Sequence, residues 1–146
     1  MATTCIYLNF DGTTEEAFTF YRSVFGGEFS SLIRFSDFPE LSEHRKMTEK
    51  ERRGIMHIEL PLLGGVRLRG TEAPKSFGFD LTFGNNTYIC LEPDTKEEAD
   101  RLFAALSEGG TVQAPLQDMP WGAYYGDLLD RFGVQWMINL PTQPIK

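Results

Sequence analysis

The chain has 146 residues, 41% hydrophobic and 24% charged, enough to bury a core of its own and too apolar for a disordered tail. Its net charge of -7 argues against nucleic acid or an anionic membrane surface as partner, since both call for a basic footprint that releases counterions. The two cysteines, Cys5 and Cys90, lie far apart and outside any CxxC spacing, so neither a disulfide framework nor a cysteine zinc site is expected, and both read as free thiols on strands.

The first residues carry no basic segment followed by an apolar one, and no apolar run approaches membrane-spanning length, which predicts a soluble, cytoplasmic protein. Residues 5–10 read as a strand. Across 13–27, Ala17, Phe20, Tyr21, Val24 and Phe25 recur at the spacing of one helical face. Thr13 precedes Glu16 by the capping-box interval, and Gly26 and Gly27 supply a left-handed exit. Strand-like runs follow at 28–35, 55–60 and 66–69, with Leu63-Gly64-Gly65 as the turn between the last two. The charged stretch 36–54, with Pro39, His44 and the cluster Arg45, Lys46, Lys50, Arg52 and Arg53, reads as a solvated excursion; a lid or dimer arm is the alternative.

After a linker at about 71–86, containing Pro74 and Asn85-Asn86, the same device returns 82 residues on: Thr95 and Glu98 at the start, Ala99, Leu102, Phe103 and Leu106 as the stripe, Gly109 and Gly110 as the stop. Strand-like runs at 87–91, 111–114, 123–128 and 134–140 surround it, with a turn at 130–133. The pattern is βαβββ twice, an α+β fold with module one at about 1–72 and module two at about 86–142. Halves of about 70 residues are close to the lower limit for independent folding, so one domain of two modules is expected.

The run YLNFDGTTEEAFTFYRSVFGGEF (residues 7–29), the pair Met56-His57 and the ending PWGAYYGDLLDRFGVQWMIN (residues 120–139) resemble PhnB-like proteins of the glyoxalase, bleomycin-resistance and extradiol-dioxygenase superfamily, also called vicinal oxygen chelate proteins. The resemblance covers nearly the whole chain. It implies paired βαβββ modules forming an incomplete barrel around a cleft, the glyoxalase-like fold, commonly in a homodimer. In metal-using members it implies ligands from the first and fourth strands of each module, which polarise vicinal substrate oxygens. Matching the helix starts sets Ile6 and Tyr88 at the first-strand positions, Leu68 or Gly70 at the fourth of module one and Met137 at that of module two. None is an ordinary divalent-metal ligand, and the neighbours Cys5, Asn9, Thr87, Gln135 and Asn139 make a poor set, so no metal and no cofactor is expected.

The residues that remain point to small-molecule binding. In IMHIEL, strand alternation sets Ile55, His57 and Glu59 on one face, so His57 and Glu59 suit a base with its orienting carboxylate, or a structural pair. Arg67 and Arg69 share a face; they and Arg34 suit a carboxylate or phosphonate if directed into the cleft. Trp121, Tyr124 and Tyr125 suit an aromatic lining or core packing, and Tyr7 and Tyr88 add polar tips. The candidate ligand-binding set is Tyr7, Asn9, Arg34, His57, Tyr88, Trp121, Tyr124 and Met137, with no catalytic residue assigned. The leading expectation is a metal-free protein binding a small organic ligand. The alternatives are a metal-dependent glyoxalase-type lyase, isomerase or dioxygenase, and an antibiotic-sequestering resistance protein. Family labels that evoke phosphonate metabolism or methyl transfer find no phosphonate site or methyl-donor loop in the sequence.

Overall fold

A computed structural model of the chain describes residues 1–143, except the side chain of Ser42. The described residues form two compact units, the first Met1–Thr82 and the second beginning at Phe83, so the division falls inside the 71–86 linker. Each unit holds one four-stranded mixed sheet and one long helix, an α+β architecture with no closed barrel in either sheet.

In the first unit the strands are β1 (Ile6–Phe10), β2 (Ser31–Arg34), β3 (Ile55–Pro61) and β4 (Arg67–Glu72), in the order β1-β4-β3-β2 with β1 parallel to β4. Helix α1 (Thr14–Phe25) covers one face of this sheet through Ala17, Phe18, Tyr21 and Val24, all buried. The rows Ile6–Leu68–Leu60 and Leu8–Gly70–Ile58 lie on that covered face. The periodicity that predicts the helix comes from this packing, although Phe18, fully buried, belongs to the stripe and Phe20 and Phe25 sit at its half-buried margin.

The start of α1 departs from the sequence expectation. Thr13 makes no side-chain capping bond. The Glu72 carboxylate, brought from β4, accepts from the amides of Gly12 and Thr14 instead. A carboxylate at a helix start satisfies orphan donors and complements the dipole, so a tertiary contact replaces the local box.

The excursion 36–54 contains two short helices, α2 (Pro39–His44) and α3 (Glu49–Arg53). Thr48 and Glu51 cap α3 reciprocally, and Glu51 also accepts from Ser76 Oγ at 2.6 Å. Arg45 stands over the Phe77 ring at 5.0 Å, and Met47 is buried. The excursion is thereby tied to the rest of its unit.

The second unit repeats the plan with β5 (Ile89–Leu91), α4 (Lys96–Ser107), β6 (Thr111–Met119), β7 (Ala123–Leu129) and β8 (Gln135–Pro141), in the order β5-β8-β7-β6. Here the local cap forms: Thr95 Oγ1 accepts from the Glu98 amide at 3.1 Å. Ala99, Leu102, Phe103 and Leu106 are buried against the face that carries Trp136, Ile138 and Leu128. The helices Thr14–Phe25 and Lys96–Ser107 repeat at 82 residues, but the connection before α4 (92–95) is one residue longer than that before α1 (11–13). The buried strand ends Phe10 and Leu91 therefore stand 81 apart, and Tyr7, not Ile6, is the counterpart of Tyr88.

No helix among the described residues is long and apolar enough to cross a membrane.

Candidate functional site: the open face of each sheet

Strand alternation gives each sheet a second face, opposite its helix. In the first unit the row Tyr7–Arg69–Glu59–Ser31 crosses this open face from β1 to β2. Asn9 and Thr71 form the neighbouring row of β1 and β4, and His57 stands opposite Ile33. Ile6, Leu68 and Gly70 lie on the helix side, so the open-face residues at the first and fourth strands are Tyr7 and Arg69.

Glu59 is the hub of this face. It accepts from Ser30 Oγ at 2.7 Å and from Arg69 Nε, and Arg67 Nη1 lies 3.8 Å from it. Bonds from Ser30 and then Arg69 hold its carboxyl below the usual carboxylate range. Arg67 Nη2 reaches Thr3 Oγ1 at 3.1 Å, and Arg69 Nη1 lies 3.7 Å from Cys5 Sγ, a weak acceptor. Two guanidiniums thus share one carboxylate. Beside them the Tyr7 hydroxyl and His57 Nδ1 stand 3.3 Å apart. Burial pushes the Tyr7 phenol up, with Arg69 opposing. His57 therefore pairs with Tyr7, while Glu59 is committed to Ser30 and Arg69.

In the second unit the open-face rows are Cys90–Met137–Asp127–Ala114 and Asn139–Tyr125–Gln117. Tyr125 donates to Asp127 Oδ2 at 2.6 Å and Tyr88 donates to Gln113 Oε1 at 3.0 Å. The Asp127 bond, followed by burial, pushes the Tyr125 phenol up to about 12. Tyrosinate absorbance in a pH titration should accordingly show Tyr125 ionising about two units above an ordinary phenol. The Tyr125→Phe variant should lose the step near that pH; an unchanged titration there would contradict the Asp127 bond.

Tyr7, Asn9 and His57 thus share one open face, and Tyr88 and Met137 belong to the other. Three candidates lie elsewhere. Arg34 turns to the helix side and binds Glu15 of α1 bidentately at 3.0 and 2.6 Å, with Nη1 also on the Arg53 carbonyl. Tyr124 faces α4, where its hydroxyl donates to Asp100 and Lys96 stands 4.8 Å over its ring. Trp121 occupies the turn between β6 and β7, 68% exposed. Arg69, Glu59, Asp127 and Tyr125 complete the two faces and are absent from the candidate set. The signal for them was strand phase: Arg69 follows once Tyr7 is known to face outward.

The resemblance implies that metal-using members draw ligands from the first and fourth strands of each module. On the open face those strands offer Cys5, Tyr7, Asn9, Arg67, Arg69 and Thr71 in the first unit, and Tyr88, Cys90, Met137 and Asn139 in the second. Neither group contains an imidazole or a carboxylate, and the first carries two cations, so these residues do not fit a divalent metal. Among the described residues no three His, Cys, Asp or Glu side chains gather as a metal site.

A family model described as 3-demethylubiquinone-9 3-methyltransferase matches residues 2–139. Protein YjdN of Escherichia coli (strain K12) is 27% identical over 142 residues, covering 94% of each chain. Protein PA1353 from Pseudomonas aeruginosa is 34% identical, with 98% of this chain and 100% of that one covered and a TM-score of 0.82. The PhnB protein from Bacillus cereus, 24% identical over 95% of this chain and 99% of its own, shares the fold at a TM-score of 0.74. A glyoxalase/bleomycin resistance protein/dioxygenase family enzyme from Burkholderia phytofirmans PsJN, 22% identical over 92% of this chain and 96% of its own, shares the fold at a TM-score of 0.56, and the chain itself belongs to the family whose model is described as 3-demethylubiquinone-9 3-methyltransferase.

Proposed function

We propose that the open face of the first unit binds a small organic ligand through a carboxylate or phosphonate group, without a metal. The observation that carries this reading is the excess of guanidinium over carboxylate, the half-buried Arg67 and Arg69 against Glu59, on the open sheet face of a chain whose net charge is -7. With Nε committed to Glu59 and Nη1 only on the weakly accepting Cys5 sulfur, Arg69 can turn its terminal nitrogens to a planar anion. Tyr7 and His57 provide neutral polar contacts beside it. The resemblance also supports work as a homodimer in the cytoplasm. Neither a metal-dependent lyase, isomerase or dioxygenase nor antibiotic sequestration draws on a specific arrangement of these side chains. Methyl transfer, which the family description names, has no glycine-rich donor loop to support it.

The test is a calorimetric titration of the whole chain with short carboxylates and methylphosphonate, in the presence and absence of a chelator. Arg69→Gln should weaken binding by about 10- to 100-fold, the worth of a charge-assisted hydrogen bond of about 1.5–3 kcal/mol. Arg34→Gln, whose guanidinium serves α1, should leave affinity unchanged. Failure of every such anion to bind, or full affinity in Arg69→Gln, would sink the reading, and loss of binding on chelation would reject its metal-free part.

A further inference from the structure

The open face of the second sheet has the opposite chemistry from that of the first. No Lys or Arg occurs in β5, β6, β7 or β8. Both phenolic hydrogens on the face are already donated, Tyr125 to Asp127 and Tyr88 to Gln113. What the phenols still present is oxygen lone pairs and ring faces. Asp127, with a second carboxylate oxygen, adds the negative charge, and Met137 and Cys90 occupy the same row with soft, weakly accepting sulfurs. The unit's described cations lie off this face: Lys96 is on the helix side, bonded to Asp118 at 2.9 Å and over the Tyr124 ring, Arg131 bonds the Glu108 carbonyl at 3.0 Å, and Arg101 belongs to α4. The side-chain amides of Gln117 and Asn139 can donate on this face, but the Tyr125 ring stands beside the Asp127 carboxylate and no Lys or Arg of the four strands neutralises it.

We infer that this face is a binding site for an organic ammonium ion, with Asp127 taking the charge, the oxygens of Tyr88 and Tyr125 taking N–H donors, and Met137 packing against the carbon skeleton. A primary ammonium satisfies all of these together, because the cation is drawn to the carboxylate and to the ring faces while its N–H groups reach lone pairs. The inference does not rest on the anion binding proposed for the first unit.

The probe is benzylammonium, titrated into isotopically labelled protein and followed through the Met137 methyl and the amides of 125–127. Shifts should localise to this face. Benzyl alcohol, which lacks the charge, and benzyltrimethylammonium, which lacks the N–H groups, should each bind at least tenfold more weakly. Asp127→Asn should weaken benzylammonium tenfold or more with an unchanged amide spectrum elsewhere. Should that variant misfold, Tyr88→Leu, which removes a half-buried ring and its oxygen, should weaken it severalfold. Equal binding of benzyl alcohol, full affinity in a folded Asp127→Asn or Tyr88→Leu, or shifts confined to other surfaces would overturn the inference.

Discussion

Asp130→Ala should destabilise the second unit by about 3 kcal/mol, because it removes a charged acceptor of buried hydrogen bonds worth roughly 1.5–3 kcal/mol apiece, less the cost of burying that charge. Asp130 is 3% exposed and closes the turn between β7 and β8. Its Oδ1 accepts from the amides of Phe132 and Val134 at 2.8 and 3.0 Å, and its Oδ2 accepts from Trp136 Nε1 at 2.9 Å. Trp136 is itself fully buried in the core that α4 covers. A loss of this size corresponds to a melting-point drop of about 6–12 °C for a chain of this length. Asp130→Asn isolates the chemistry. Its amide oxygen still accepts from the two backbone groups, but its NH2 faces the indole N–H, donor against donor, so it too should destabilise. Trp136→Phe removes the indole donor, and the double variant should cost less than the two singles together by at least about 0.5 kcal/mol, the coupling expected of groups in direct contact. Near-ultraviolet circular dichroism and thermal melts read both effects. An Asp130→Ala melt within about 1 °C of the parent would remove Asp130 from the account of this turn.

The same turn shows how recognition and function part company. The terminal run that points to the family, with Asp130, Phe132, Gly133, Val134 and Trp136, is legible because it builds a turn and a core, and such requirements leave a fixed spacing. The two long helices are legible for a similar reason, since their stripes face a sheet. The start of α1 is not, because its cap arrives from Glu72 in β4, and no local pattern announces a tertiary partner. The short helices α2 and α3 are too brief to display periodicity, although Thr48 and Glu51 carried the capping-box spacing.

The candidate sites depended on strand phase, which is fragile because one residue exchanges the faces. One extra residue before α4 shifts the strands of the two halves against their helices, which is why Ile6 was set against Tyr88. A bulge in β3 pairs Ile33 with His57 but Arg34 with Ile55, leaving Met56 as the extra residue. His57 and Glu59 keep the open face that alternation predicts, while Ile55 becomes fully buried and Arg34 turns to Glu15. Tyr124 and Tyr125, as neighbours on one strand, could not both line the same face. The charge contrast between the two sheets appears only once these phases are known.

Gly70 shows the consequence of phase for stability, and Gly70→Ala should cost about 1–3 kcal/mol, the usual range for forcing an extra group into a packed core. A Cβ at Gly70 would stand 2.5 Å from Phe18 Cε1 and 2.8 Å from Phe18 Cζ, where α1 crosses β4. Both residues are buried, Phe18 completely, so the ring has little room to turn away. The glycine is there for close helix–sheet approach, not for an unusual backbone angle, and a second substitution that makes room should restore part of the loss. Phe18→Leu on its own leaves a cavity and destabilises the first unit. Combined with Gly70→Ala, it offers the new methyl the space that the ring gives up, so the double variant should be more stable than the sum of the singles predicts by about 1 kcal/mol. Strict additivity in denaturant melts would instead mean that Gly70→Ala acts on the backbone of β4, and the close approach of α1 would no longer explain a glycine at this position.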